Sequence, residues 1–178
     1  MLGPRTDVSR PITDRVKESL FSVLYKYDLP DGKVVADLFS GVGSLGLEAL
    51  SRGAEFVTFV EKDQEIMAIL KKNIDKAGFL HKSRVIKADA FKVGAPVNER
   101  KYDLVFVDPP YAATRQTGED SQLSKLLVLL VEQSSQDAIV TVRTEKSTEL
   151  LKQYSRFEIM EHRQWGNMAV DIFHRSSR

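Results

Sequence analysis

The chain has 178 residues, 42% of them hydrophobic and 29% charged, with a formal net charge of +1. This is the size of one domain and the balance of an ordinary globular protein. With no cysteine and three scattered histidines, disulfides and thiolate metal sites are excluded and no metal centre is expected.

No apolar run reaches the roughly 18 residues that span a bilayer, and no charged-then-apolar leader opens the chain. The expectation is a cytoplasmic monomer, away from membranes. A charge so near zero argues against a histone-like nucleic-acid binder but permits local basic surfaces. Arg5, Arg10, Arg15 and Lys17 gather near the start, and His162, Arg163, His174, Arg175 and Arg178 near the end. Their pattern suggests a shared nucleic-acid role, beside the plainer reading of solvated surface charge.

In chain order, Thr13 can cap a helix that places Val16, Leu20, Val23, Leu24 and Tyr27 on one face. Pro30-Asp31-Gly32 makes a turn, and Val34 to Leu38 reads as a buried strand. A glycine-bearing loop then enters a helix over Ser44 to Ser51, stopped by Gly53. Phe56 to Val60 is the second strand. The helix after it carries Ile66, Ile69, Leu70, Ile74 and Ala77 and ends at Gly78. Arg84 to Ala88 and Leu104 to Val107 read as strands, Leu123 to Val131 as a helix, and Ala138 to Val142 as a fifth strand. A short helix is expected around Ser147 to Tyr154, then two strands joined near Gly166-Asn167. Strands alternating with helices imply an α/β fold, a parallel sheet covered on both faces, with the terminal hairpin as an antiparallel edge.

Asp37-Leu38-Phe39-Ser40-Gly41-Val42-Gly43-Ser44-Leu45-Gly46 lies where the first strand turns into its helix. The spacing of Gly41, Gly43 and Gly46 also fits a dinucleotide fingerprint, so an NAD-type site has to be weighed. Asp37 favours S-adenosylmethionine, because a carboxylate suits an ammonium group and repels a pyrophosphate. The chain is also too short to add a catalytic domain to a nucleotide-binding one. The plainer reading is an Asp that caps the loop. Glu61 ends the second strand, where an acid accepts from ribose hydroxyls; Phe39, Ser40 and Lys62 flank these positions. Asp89-Ala90 ends the third strand and suits either adenine recognition or a simple helix cap.

Asp108-Pro109-Pro110-Tyr111 follows the fourth strand. Paired prolines are rigid, lack N–H donors and stop a strand at the crevice where such sheets bind ligands. An aromatic amine is a poor nucleophile because its lone pair is delocalised. Asp108 and the Pro109 carbonyl can accept its two N–H bonds and aim the lone pair, while Tyr111 stacks on the flat base. A base within a stacked helix cannot reach such a site, so the nucleotide must be flipped out or unpaired.

This ordered set resembles class I methyltransferases that methylate amines, whose signature is Asp/Asn-Pro-Pro-Tyr/Phe. More closely, the chain is similar to the bacterial 16S ribosomal RNA guanine-N2 methyltransferases of the RsmD type. The resemblance is carried by Arg10-Pro11-Ile12-Thr13-Asp14-Arg15-Val16-Lys17-Glu18-Ser19-Leu20-Phe21, by Asp37 to Ala54, by Phe59-Val60-Glu61 and by Asp108 to Tyr111. It implies a single Rossmann-like domain over residues 1–178, with a seven-stranded sheet whose final strand is reversed. The cofactor would be S-adenosyl-L-methionine and the partner 16S rRNA in the small ribosomal subunit or an assembly intermediate. Residues 1–30 would lie over the cofactor and face the RNA, with Thr13 near the methionine part and Arg10, Arg15 and Arg115 near the RNA. Members usually carry a basic, glycine-containing hairpin ahead of the Arg-Pro-x-Thr segment. Only nine residues precede Arg10 here, so RNA affinity is expected to be lower or to come from other contacts. The other readings are an adenine-N6 or cytosine-N4 DNA methyltransferase, a protein-glutamine methyltransferase, and an inactive RNA-binding or assembly module that keeps the fold.

Overall fold

The structure is a computed structural model that describes residues 11–176. Arg10, proposed above as an RNA contact, lies outside the described residues, as do Arg5 and Arg178 of the two basic clusters. Helix α1 (Asp14–Leu24) starts at Thr13, whose hydroxyl accepts from the Val16 amide at 3.4 Å, and runs into a 3-10 turn over Tyr25–Tyr27. Strand β1 (Val34–Leu38) leads to α2 (Ser44–Ser51), and β2 (Phe56–Glu61) to α3 (Gln64–Lys76). Gly53 ends α2 in the left-handed region at φ 95°, where the Ala54 amide reaches back to the Ala49 carbonyl. Strand β3 (Ser83–Lys87), the single turn α4 (Ala90–Val93), β4 (Tyr102–Val107), α5 (Gln122–Gln133) and β5 (Ser134–Glu145) follow. The chain closes with β6 (Gln153–Tyr154), β7 (Phe157–Trp165) and β8 (Met168–Arg175).

The strands form one sheet in the order β3-β2-β1-β4-β5-β8-β7-β6. The first five are parallel; β8 lies antiparallel to β5, and β7 antiparallel to β8. Among the described residues eight strands stand where seven were expected, and the addition is β6. It replaces the helix expected around Ser147 to Tyr154. Tyr154 and Phe157 are both buried and face each other across a tight turn in which Ser155 is left-handed at φ 53°. Burying two aromatic rings on one face of a hairpin outweighs the helix propensity of so short a segment. Among the described residues no strand lies on the outer side of β7 beyond Glu158.

Period-two alternation sorts the sheet residues into two cores. Val35, Val57, Phe59, Leu104, Phe106, Ile139, Val170 and Ile172 meet α1, α2 and α3 on one face. Ala36, Val60, Val105, Val107, Val140, Val142 and Phe173 meet α5 on the other. Helix α1 is fastened over β4 through Phe21, which is fully buried, 5.7 Å from the Phe106 ring, with the Arg52 guanidinium 4.9 Å from its centroid. Among the described residues no helix is long and apolar enough to cross a membrane.

Phe21→Ala is expected to destabilise the fold by about 3–5 kcal/mol, the usual cost of deleting a buried phenyl ring. Urea unfolding followed by far-UV circular dichroism checks this, and an unshifted midpoint would show that α1 is not part of the cooperative core.

Candidate active site

The same alternation decides which polar side chains meet. Asp37 shares the parity of Val35, Glu61 that of Phe59, and Asp108 that of Phe106. All three carboxylates therefore reach the carboxyl edge of adjacent strands on the face that α1 and α2 cover.

The loop after β1 is shaped by these acids. Asp37 is buried, and its Oδ2 accepts the Gly46 amide at 2.8 Å. Glu61 accepts the Gly41 amide on Oε2 and the Asp63 amide on Oε1, both at 2.9 Å. Ser40 bonds through its amide and its hydroxyl to the Val60 carbonyl. Phe39 is left-handed at φ 58°, an uncommon state for a residue with a side chain and one that concentrates at functional sites. Its ring lies 4.7 Å from that of Phe91. Gly43, at φ 93°, stands so close to Leu70 and Leu47 that a Cβ would sit 2.6 Å from a Leu70 methyl.

The sequence reading of Asp37 as a ligand-facing carboxylate is thus refined, since one of its oxygens is committed to the loop. Burial pushes its carboxyl well above the usual carboxylate range; the Gly46 amide opposes this, and the charges of Asp108 and Glu61 add to the rise. Asp89 caps α4 by accepting the Phe91 amide at 3.0 Å. Ala90 is buried behind it. Lys62 is exposed, and so is Thr13, whose hydroxyl is engaged in capping α1.

Just past β4 the Asp108 amide donates to the Leu38 carbonyl at 3.4 Å, which ties the tetrapeptide to the end of β1. Pro110 opens a 3-10 turn over Tyr111–Thr114, closed by bonds from the Ala113 amide to the Pro110 carbonyl and from the Thr114 hydroxyl to the Tyr111 carbonyl. Pro109 is buried, and Tyr111 is partly exposed. Arg115, just past this turn, is exposed.

One participant escaped the sequence reading. Arg143 of β5 donates from Nε to Asp108 Oδ1 at 2.5 Å, with the two side chains 6% and 17% exposed. Its guanidinium lies 6.0 Å from the centre of the Tyr111 ring. Burial raises the Asp108 carboxyl above its ordinary value, while the charge and hydrogen bond of Arg143 act against that rise. The available signal was a lone arginine one residue past the apolar run Ala138 to Val142, on the strand beside the tetrapeptide.

A second feature lies along the same face. Arg15, Glu18, Ser19, Ser22 and Val23 of α1, with residues 162–165 of β7, line an open groove of about 830 Å³. The two basic clusters at the chain's ends do partly converge, with Arg15 from one and His162 and Arg163 from the other. Register places Arg163 opposite Val170, and Val170 opposite Arg143, beside Asp108. Three strand spacings put the groove roughly 14 Å from the tetrapeptide. Among the described residues no group of three or more His, Asp or Glu side chains could hold a metal.

A Cβ at Gly46 would lie against the Phe59 ring and 2.9 Å from Asp37 Oδ2. Gly46→Ala is therefore expected to cost about 1–3 kcal/mol through overpacking, read as a lower denaturation midpoint. Parent-like stability would mean that the loop yields without strain.

Comparison with known proteins agrees with this architecture. Residues 2–174 match the family described as Conserved hypothetical protein 95. The chain is 31% identical over 169 residues to YlbH of Bacillus subtilis, covering 93% of this chain and 87% of that protein. It is 35% identical over 146 residues to ribosomal RNA small subunit methyltransferase D of Haemophilus influenzae, covering 80% and 71%. Among solved structures, yhhF of Escherichia coli superposes with a TM-score of 0.78 at 28% identity, covering 99% of this chain and 92% of that one. An RNA methyltransferase of Salinibacter ruber in complex with S-adenosyl-L-homocysteine shares the fold, with a TM-score of 0.70 at 18% identity and 95% of each chain covered. With the match running through nearly the whole chain, from ahead of α1 to the last residues of β8, this protein belongs to the Conserved hypothetical protein 95 family.

Proposed function

We propose that the chain is an S-adenosylmethionine-dependent methyltransferase that modifies the exocyclic N2 amine of a guanine in small-subunit ribosomal RNA. The observation that carries this is the convergence of Asp37, Glu61 and Asp108 on one face beside the Pro-Pro-Tyr turn. A glycine loop edged by Asp37 and Glu61 favours a ligand carrying ammonium and sulfonium charge over a pyrophosphate. That answers the NAD alternative, which the glycine spacing left open. The Haemophilus influenzae relative, a ribosomal RNA small subunit methyltransferase, points to the substrate class.

The residues present fit the cofactor. Gly41, Gly43 and Gly46 let the backbone approach it closely. Glu61, already anchored on two amides, keeps lone pairs for ribose hydroxyls. Asp37 supplies negative potential for the ammonium group, and Asp89 with Ala90 and the Phe39–Phe91 pair lies on the adenine side. Thr13 and Lys62 complete the rim. S-adenosylmethionine supplies an electrophilic methyl group on sulfur.

The chain's own residues position the nucleophile. Asp108 accepts one N–H of the base amine and the Pro109 carbonyl accepts the other, which draws the nitrogen toward a pyramidal geometry. Pro110 fixes the turn. Tyr111 stacks on the base, a contact worth about 1–3 kcal/mol. The remainder is orientation. Arg15, Arg115 and Arg10 serve the RNA backbone, with the groove between α1 and β7 as its path.

Asp108→Ala is expected to abolish methyl transfer and leave S-adenosylmethionine affinity unchanged. Labelled cofactor incubated with naked 16S RNA, 30S particles and duplex DNA, followed by nucleoside analysis, should yield N2-methylguanosine from ribosomal samples only. Full activity in the variant would remove Asp108 from the mechanism; N6-methyladenine or N4-methylcytosine from DNA would replace the substrate assignment.

Arg15→Ala should raise KM for the RNA substrate with kcat preserved. It should also reduce the salt dependence of binding by about one counterion. An unchanged salt slope in a filter-binding titration would place the RNA elsewhere.

A further inference from the structure

We infer that Arg143 is the positioning residue that keeps Asp108 ionised and turned toward the substrate amine. The inference rests on the reading of Asp108 as the acceptor of that amine. Arg143 sits opposite Val170 in the β5–β8 register, one position past Val142, the partner of Val107. That register brings it level with Asp108, on the same face. It is 5% exposed, a depth at which arginine is rarely found without a carboxylate.

Burial works against the ionisation of Asp108. Asp37 faces it from β1, with Glu61 of β2 behind, and both are acidic. Tyr111 and the buried Thr114 come from the turn that follows. Asp171 of β8 belongs to the opposite face, where it pairs with His162 at 2.7 Å. Among the described residues, Arg143 is the cation that meets Asp108 directly, through the 2.5 Å bond to Oδ1.

Desolvation favours the protonated carboxyl. A protonated Asp108 would present a donor where the amine needs an acceptor. By engaging Oδ1, the guanidinium holds the negative charge and leaves Oδ2 to the substrate, since a carboxylate carries about four acceptor positions. The same guanidinium, 6.0 Å from the Tyr111 ring centre, braces the ring on which the base stacks. One side chain thus fixes both the acceptor and the stacking platform. A purely structural ion pair would hold the fold equally well but would not tune the acceptor.

The test uses the full chain with 30S particles as substrate, measuring kcat across pH and cofactor affinity by calorimetry. Arg143→Met is expected to lower kcat at neutral pH by about 10- to 100-fold, the scale of a lost charge-assisted hydrogen bond. It should also move the acidic limb of the kcat profile to higher pH, while cofactor affinity stays unchanged. The sign follows from the acid: removing the cation raises the Asp108 pKa, so the active carboxylate form is lost sooner as pH falls. Arg143→Lys, which keeps the charge, should hold the acidic limb near its parent position and recover part of kcat. In an Asp108→Asn background, where the amide oxygen accepts without ionising, Arg143→Met should cost much less than in the parent.

Equal fractional loss at every pH, together with additive losses in the double variant, would overturn the inference. If Arg143→Met fails to fold, the pH profile of Arg143→Lys and its cycle with Asp108→Asn decide the same question. An active Asp108→Ala variant would sink the underlying reading; an inactive one beside an unmoved Arg143→Met profile would sink this inference alone.

Discussion

Negative charge held out of water at the carboxyl edge of the sheet is the constraint around which this molecule is arranged. Parallel strands β1, β2 and β4 end together, and their pleat turns Asp37, Glu61 and Asp108 to one face. Ionised carboxylates in such a place oppose folding, because burial raises the pKa of Asp37 and Asp108 in the folded state and neighbouring carboxylates add to the rise at Asp37. The chain offsets part of that cost locally. The amides of Gly41, Gly46 and Asp63 are spent on two of the acids, and Arg143 on the third. The glycine loop owes its shape to these bonds, so the same acids that give the crevice its sign also build its floor.

Helix α1 makes the second half of the arrangement. Lys17, buried along its stem, pairs with Asp14 at 3.0 Å and reaches Glu48 of α2 at 3.7 Å. At the other end Tyr27 bonds to Glu161 of β7. Phe21 presses on Phe106 in between. The helix therefore touches the element that shapes the glycine loop and the strand that lines the basic groove. The glycine loop and the basic groove share one rigid cover.

Most of the strands could be read from the sequence because each is a short apolar run ended by a turn residue. The hairpin at Gly166-Asn167 and the caps at Thr13 and Gly53 carried their own local chemistry. Asp108 to Tyr111 was legible for the same reason, as a rigid segment at a strand end. What escaped depended on register. The commitment of Asp37 to the Gly46 amide is a contact across nine residues that no periodicity encodes. Arg143 looked like a charge following a strand, and only pairing with β8 and β4 puts it beside Asp108. The segment before Tyr154 misled because two leucines in a row fit a helix face as well as a loop, and the deciding factor was the distant burial of Tyr154 against Phe173 at 6.0 Å.

The shortness of β6 has a bearing on how this protein behaves in a crowded solution. Among the described residues it pairs with only Phe157 and Glu158 of β7, and past the Ile159 amide, which donates to the Lys152 carbonyl at 2.9 Å, no strand lies beside the outer backbone as far as Trp165. A bare strand edge invites another chain to extend the sheet. Here the edge alternates Glu161, His162, Arg163 and Gln164, and β7 is bulged between Ile159 and Glu161 against β8. A second copy laid alongside would have to bury those charges and follow that kink. The residues that line the groove therefore also disfavour extension of the sheet by a second copy.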